Sequence, residues 1–447
     1  MAVVMMRTME AAEHREEKAI KKDHPGASFG SDMLSDLPMR RLLVFGSAVM
    51  AIALGVCVAA EDWPQFLGPE RNGVYRGPAL ADTWGPQGPK VVWRMSVGQG
   101  FSGPVVAQGH VILFHRVRDQ EVVEAIDART GAIQWRYAYA SSYRDDFGFD
   151  EGPRAVPVVA GGIVYTFGAE GQLYAIDLET GTPIWSVDTM RRFGVAKGFF
   201  GAAGSPLVED GRVLANIGGP EAGVVAFEEK TGEVLWTATG DGASYSSAVG
   251  ATIAGRRHAI FLTRASLVSL DPETGQVRFE RPWRARSASS VNVATPLVIG
   301  DLIFASAEYG PGAAVLRLEG SELRELWASD EVLTNHYATS VYRDGFLYGY
   351  HGRQEFGPSF RAVELHTGEV RWSQDQFRGG TVTLAGDRLV ILRERGELIV
   401  AEASPDAYRP LARAQILPGT VRAYPALSDG FLFARNEDTL ICLDLRR

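Results

Sequence analysis

From residue 90 onward, apolar and polar positions alternate over short runs that stop at glycine-containing turns. The clearest run is Tyr174-Ala175-Ile176-Asp177, followed by Thr180-Gly181 and then Pro183-Ile184-Trp185. Period-two alternation bounded by turn residues predicts a strand, a tight turn and a second strand ending in a large ring. The same pattern recurs as Ala125-Ile126-Asp127 with Thr130-Gly131 and Trp135, as Ala226-Phe227-Glu228 with Thr231-Gly232 and Trp236, and as Ala362-Val363-Glu364 with Thr367-Gly368 and Trp372. In a looser copy, Ser269-Leu270-Asp271 leads to Thr274-Gly275 and Phe279.

A second element precedes each of these: a short apolar strand led by Pro or a small residue, such as Gly103-Pro104-Val105-Val106 or Ser205-Pro206-Leu207-Val208, then a two-residue turn such as Asp210-Gly211 and another apolar strand. This is a hairpin signature. Anchoring on Asp177 places eight copies at Asp127, Asp177, Glu228, Asp271, Arg317, Glu364, Glu402 and Asp444, spaced 50, 51, 43, 46, 47, 38 and 42 residues apart. Units of this length with four strands each are propeller blades. The expectation is an all-β, eight-bladed propeller of four-stranded antiparallel blades over residues 90–447, with no amphipathic helix. The last unit ends one strand short, and the orphan strand Lys90-Val91-Val92-Trp93-Arg94 is expected to complete it and close the ring. The ring positions 93, 135, 185, 236, 327 and 372 are expected to wedge between blades, and the Asp before each Thr-Gly to hold its own turn.

Composition adds limits. The formal charge of −9 lies wholly beyond residue 60, where 38 basic residues face 47 acidic ones, which disfavours nucleic acid as a partner. Residues 1–38 are polar and unpatterned, and Met39-Arg40-Arg41 then precedes an apolar run from Leu42 to Ala60. Residues 39–60 read as a signal peptide or membrane anchor, giving an extracytoplasmic chain, with Cys57 as a lipidation candidate and membrane association through residues 42–60. Beyond Ala60 the sole cysteine is Cys442, so no internal disulfide is expected there. Residues 61–89 are rich in Gly and Pro and are expected to cover a surface. The chain is taken as a monomer.

The motif Ala-x-Asp-x-x-Thr-Gly-x-x-x-Trp, best formed at 175–185, resembles the pyrroloquinoline quinone (PQQ) propeller repeat shared by quinoprotein alcohol dehydrogenases and BamB-type outer-membrane assembly proteins. The resemblance implies either a binding scaffold or an alcohol or sugar dehydrogenase using PQQ and Ca²⁺. Such dehydrogenases place adjacent cysteines against the quinone, and only Cys442 is present beyond residue 60. Gly168-Ala169-Glu170 is similar to a tripeptide that supplies a calcium-binding Glu in that family, but Gly171-Gln172-Leu173 follows at once, as in a hairpin turn.

In an up-and-down blade the Thr-Gly turns share one face. The outer-to-inner connections and the turns between second and third strands share the other, and the irregular sequences fall there. Candidate ligand-binding residues on that face are Asp145, Asp146, Asp150, Glu151, Arg154, Tyr245, Asn292, Asn335, His336, His351, Arg353, Glu355 and Arg422. The four acids suit calcium, while Arg144 and Arg154 beside them suit an ion-pair network. His336 and His351 suit base chemistry, metal binding or a structural role. No catalytic residue is assigned, since beyond residue 60 no His-Glu-x-x-His, P-loop or Gly-x-Ser-x-Gly occurs. A protein partner or small ligand at the channel mouth is the expected occupant.

Overall fold

The computed structural model describes residues 61–198, 200–284 and 292–447. The polar extension, the signal-like segment with Cys57, and the loop residues Phe199, Ser290 and Val291 lie outside these. Eight antiparallel sheets form, each built from strands consecutive in the chain, except at the closure. Blade 1, for example, comprises Val105–Ala107, His110–Val117, Gln120–Asp127 and Ile133–Ala140, paired in that order. The first strands of neighbouring blades lie side by side and so surround the axis. Closure follows the expected route: Lys90–Ser96 pairs antiparallel with Thr439–Asp444, completing the blade begun by Ala426–Ser428 and Phe431–Arg435.

The repeat positions keep one register around the ring. Asp127, Asp177, Glu228, Arg317, Glu364, Glu402 and Asp444 each face the first residue of their blade's second strand. A slip of one residue would turn every buried side chain outward, so the hydrophobic pattern fixes this alignment. Behind it stands a stitch between blades. The indole Nε1 of Trp93 donates to Ala128 O at 3.0 Å, Trp135 to Leu178 O at 2.7 Å, Trp185 to Glu229 O at 2.9 Å, Trp327 to Leu365 O at 2.8 Å and Trp372 to Ser404 O at 2.9 Å. Each acceptor lies in the next blade.

The Thr-Gly glycine is what lets the ring approach. Gly181 has φ +70, and a Cβ there would sit 2.6 Å from the Trp135 ring; Gly232, at φ +71, would meet Trp185 at 2.7 Å. A side chain is thus opposed both by backbone strain and by collision. Blade 7 breaks the pattern, with Ala412 opposite Val400 where other blades carry an aromatic ring. There residues 80–88 come across instead: Ala81 N–H donates to Leu445 O at 2.7 Å, and Trp84 packs on the cluster around Leu443 and Leu445.

Residues 61–89, expected to cover a surface, also send several side chains inward. Trp63, Leu67, Arg71, Tyr75 and Leu80 are buried, and the segment crosses the Thr-Gly mouth of the channel to reach the inner strands. Trp63 bridges Val106 in blade 1, Pro64 O accepts from Val159 N in blade 2 at 2.8 Å, and Val74–Tyr75 adds a parallel strand to the inner edge of blade 7. The Arg71 guanidinium, 2% exposed, donates to Pro206 O in blade 3 and to Ala248 O in blade 4, the latter at 2.9 Å. Burial lowers its pKa to about 9, with Glu209 opposing. Unmet backbone carbonyls near the axis are what this segment satisfies.

Among the described residues, helix is limited to α1, Thr189–Phe193, and a 3₁₀ turn at Gln354–Phe356. Asp188 caps α1 by accepting from Arg191 N, and Gly194 ends it in a left-handed conformation. Caps without an apolar stripe explain why periodicity does not announce it.

Candidate functional site

The face opposite the Thr-Gly turns collects the irregular loops, and its candidates gather in two groups. The first surrounds Arg154. Its Nη2 donates to Asp145 at 2.6 Å and to Asp150 O at 3.1 Å, and its Nη1 to Phe200 O at 3.1 Å. Its guanidinium lies 5.5 Å from the Phe101 ring, 5.8 Å from Tyr143 and 5.3 Å from Phe200, within cation–π range. Asp145 is fully enclosed in this pair. Asp150 accepts from Gly100 N at 3.0 Å and Gly152 N at 2.7 Å. Glu151 meets Arg144 at 3.1 Å, and Asp146 meets Lys197 at 2.5 Å. Tyr245 Oη accepts from Phe200 N at 2.9 Å. The four acids are therefore held by cations and backbone donors on separate contacts, and the ion-pair network is the arrangement found.

The second group lies across the mouth. His336 shares one ring nitrogen with Tyr309 Oη at 3.0 Å and the other with Gln354 Oε1. Burial lowers its pKa, opposed by Glu355 at 3.9 Å. Arg353 stacks over Tyr309 at 4.7 Å and Phe356 at 4.8 Å while meeting Glu355 at 3.3 Å. Arg422 joins the groups: it lies 5.6 Å from both Phe101 and Phe149, and its Nε donates at 3.2 Å to Glu394, which also accepts from Tyr337 Oη.

Three candidates serve the frame. Asn292 Nδ2 donates to Thr263 O at 2.7 Å and Trp283 O at 3.1 Å, and Asn335 Nδ2 to Tyr350 O at 2.8 Å; both residues are 1% exposed. His351 Nδ1 accepts from Thr334 N at 3.2 Å, and burial, with Arg361 adding, holds its pKa down to about 4. A histidine kept neutral in this way tethers a loop.

Sequence reasoning missed a cavity of about 770 Å³ lined by residues of blades 1 and 2. Its walls include Tyr139, Tyr174, Glu170, Asp188, Arg191 and Lys197. The two longest outer-to-inner connections, 141–157 and 189–206, flank it, and their length was the available signal. Glu170 does sit in a hairpin turn, with Gly168 N bonded to Gln172 O at 2.9 Å. Burial raises the Glu170 carboxyl, but bonds from Ser142 and Ser141 outweigh it and hold the group below its ordinary value.

These residues do not make a calcium and quinone cradle. Among the described residues no three His, Cys, Asp or Glu side chains converge as metal ligands. Glu170 is spent on its serines and Cys442 is buried in a strand.

A family model described as outer membrane protein assembly factor BamB matches residues 118–374. The chain belongs to this BamB family. Its relatives divide in kind. BamB of Burkholderia pseudomallei (strain K96243) is 27% identical over 235 residues, covering 44% of this chain and 60% of that protein. The quinohemoprotein alcohol dehydrogenase ADH-IIG of Pseudomonas putida is 34% identical over 150 residues, covering 32% of this chain and 20% of that enzyme. The BamB-family chain thus spans about a fifth of the length of its quinoprotein relatives. Among solved structures, BamB from Moraxella catarrhalis superposes with TM-score 0.58 at 15% identity, covering 79% of this chain and 97% of that one. A quinohemoprotein alcohol dehydrogenase from Comamonas testosteroni gives 0.63 at 15%, covering 87% and 81%. At such identity both likenesses speak to the propeller alone.

Proposed function

We propose that this BamB-family propeller is an extracytoplasmic binding protein that takes a protein partner on its loop-rich face. The observation that carries the reading is the contrast between charges bonded to one another and large rings left exposed to solvent. Asp145, Asp150 and Arg154 bond one another, while Phe147 and Phe149 beside them are 54% and 58% exposed and Phe356, across the mouth, is 71% exposed. Phe147 and Phe149 stack at 6.2 Å and meet Phe200 at 5.2 and 6.4 Å. Aromatic and arginine clusters of this kind carry most binding energy at protein interfaces. Support for the compartment comes from the apolar run 42–60 and from the likeness to BamB of Burkholderia pseudomallei, an outer membrane protein assembly factor. No helix among the described residues is long and apolar enough to cross a membrane.

The test is site-specific photo-cross-linking of the full chain in cells, with the probe at Phe149 on the loop-rich face or at Ile184 on an outer strand. A discrete adduct from Phe149 that Ile184 does not give, and that Arg422→Gln weakens, is the expected result. Equal labelling from both positions would remove the reading. The rival, a PQQ- and Ca²⁺-dependent dehydrogenase, draws on the 34% identity to ADH-IIG; saturable PQQ uptake with Ca²⁺ and alcohol-dependent dye reduction would establish it instead.

A further inference from the structure

The cavity lined by blades 1 and 2 continues into a second one of about 210 Å³, and the two share Met190 and Lys197. The inner cavity is walled by small residues, among them Gly201, Ala202, Ala203, Gly218 and Ala243. Asn216 also lines it. This residue comes near the end of the strand Arg212–Gly219, where pairing with Val224 is followed by a register break before Gly219 meets Ala222. Bulges of this kind re-aim side chains and occur beside binding sites. Both Asn216 Nδ2 and Oδ1 are buried, and neither finds a partner among the described residues. A carboxamide with donor and acceptor both unpaired is a costly feature to keep in a strand interior.

The outer cavity offers the complementary half of a site. Its two carboxylates are spent, Glu170 on Ser141 and Ser142 and Asp188 on the cap of α1. Of its cations, Arg144 is paired with Glu151 at 3.1 Å, and Arg191 and Lys197 are the ones open to a ligand. The Arg191 side chain has no partner among the described residues, and Lys197 is paired with an Asp146 that is itself 48% exposed, a weak and exchangeable contact. Tyr139 and Tyr174 stand in the wall with centroids 4.6 Å apart and planes inclined by 30°. The free hydrogen-bonding capacity is therefore an amide pair in a small-walled recess, then cationic donors beside aromatic rings.

We propose that this groove binds a small ligand carrying a secondary amide and a carboxylate, Asn216 pairing with the amide and Arg191 and Lys197 receiving the carboxylate. The Asn216 carboxamide offers a donor and an acceptor side by side, and a trans secondary amide, whose N–H and C=O point to opposite sides, meets one of them and leaves the other for a neighbouring polar group of the ligand. The small walls of the inner cavity leave room for an acyl methyl, and the tyrosines for a ring or a short chain. Two sources share this chemistry, an N-acylated amino-sugar acid and a short peptide with a free carboxylate. The site is lined by neither Phe149 nor Arg422, so its failure leaves the partner-binding face untouched.

Calorimetric titration of the purified full chain tests it with four probes. N-acetylneuraminate and N-acetyl-alanyl-alanine carry both groups, glucuronate lacks the amide, and N-acetylglucosamine lacks the carboxylate. One of the first two is expected to bind at least about ten-fold more tightly than either control, because a site built around hydrogen bonds rejects analogues that lack them, and the tighter of the pair names the source. Asn216→Leu should abolish that binding while the melting temperature of the free protein holds or rises. Arg191→Gln should weaken it and flatten its salt dependence. The proposal is overturned if neither amide acid binds at about 10 mM, the range of the weakest specific contacts, or if Asn216→Leu lowers the melting temperature and leaves affinity unchanged, which would assign the amide to a structural water.

Discussion

The two faces of the ring use the same chain in opposite ways. On the Thr-Gly face, one device is copied: Asp127 Oδ1 accepts from Thr130 N and Oγ1 at 2.8 Å each, and Asp177 does the same with Thr180. On the opposite face the copying is confined to the starts of the inner strands, where Val156 N donates to Ser205 Oγ, Ser205 N to Ser247 Oγ and Thr295 N to Thr339 Oγ1, while the loop side chains make individual contacts across blades, as Arg422 does to Glu394 and Phe101. Copying secures the seams, and the freedom this leaves is spent on loops that share one mouth.

The largest effect that would break this contrast is expected from Gly232→Val. A β-branched side chain at φ +71, pressed on the Trp185 ring at 2.7 Å, should cost about 3–5 kcal/mol. Urea denaturation measures it, and a loss under about 1 kcal/mol would show the seam to be plastic. Next comes Arg71→Met, which leaves the carbonyls of Pro206 and Ala248 without their donors and should cost about 1–3 kcal/mol. An unchanged urea midpoint would mean that the axial segment rests on the channel without bracing it.

Acid should sharpen the difference further. Burial holds His258 and His351 to about 4, below the ordinary 6.5. The unfolded chain therefore binds more protons between those values. Stability from these groups is complete above pH 6.5 and is lost as pH falls toward 4, by at most about 1.4 kcal/mol per pH unit for each histidine. His351→Gln should flatten the slope of stability against pH over that window, and an unaltered slope would detach the loop-rich face from it. The smallest effect belongs to Phe356→Ser, expected to change stability by less than about 0.5 kcal/mol while weakening the adduct formed by the probe at Phe149.

The sequence announced what is copied. The Asp177-type anchors fall at one register because alternation and the Thr-Gly turn act within a few residues of each other, and Trp93 joins the last blade as its spacing required. The axial segment was illegible because its bonds go to backbone carbonyls of distant blades, which no residue type advertises. Ala412 was passed over for the same reason, since its missing ring is covered by residues far away in the chain. At the mouth the sequence indicated which loops meet, but not that Asn292, Asn335 and His351 would be spent holding them. Asn216 sits in an otherwise apolar strand, and only the fold shows its amide without a partner.

The terminal blade has a consequence for how the molecule is made. Lys90–Ser96 is synthesised near the beginning and finds its partner only when Thr439–Asp444 has emerged, some 350 residues later. Until then seven sheets can form while the outer strand of the eighth, already made, has no neighbour to pair with. Ring closure is therefore the most non-local step of folding and the one most exposed to mispairing with a second chain. A nascent chain that loses its last six residues would be left with an open edge at the one place where the circle is sewn shut.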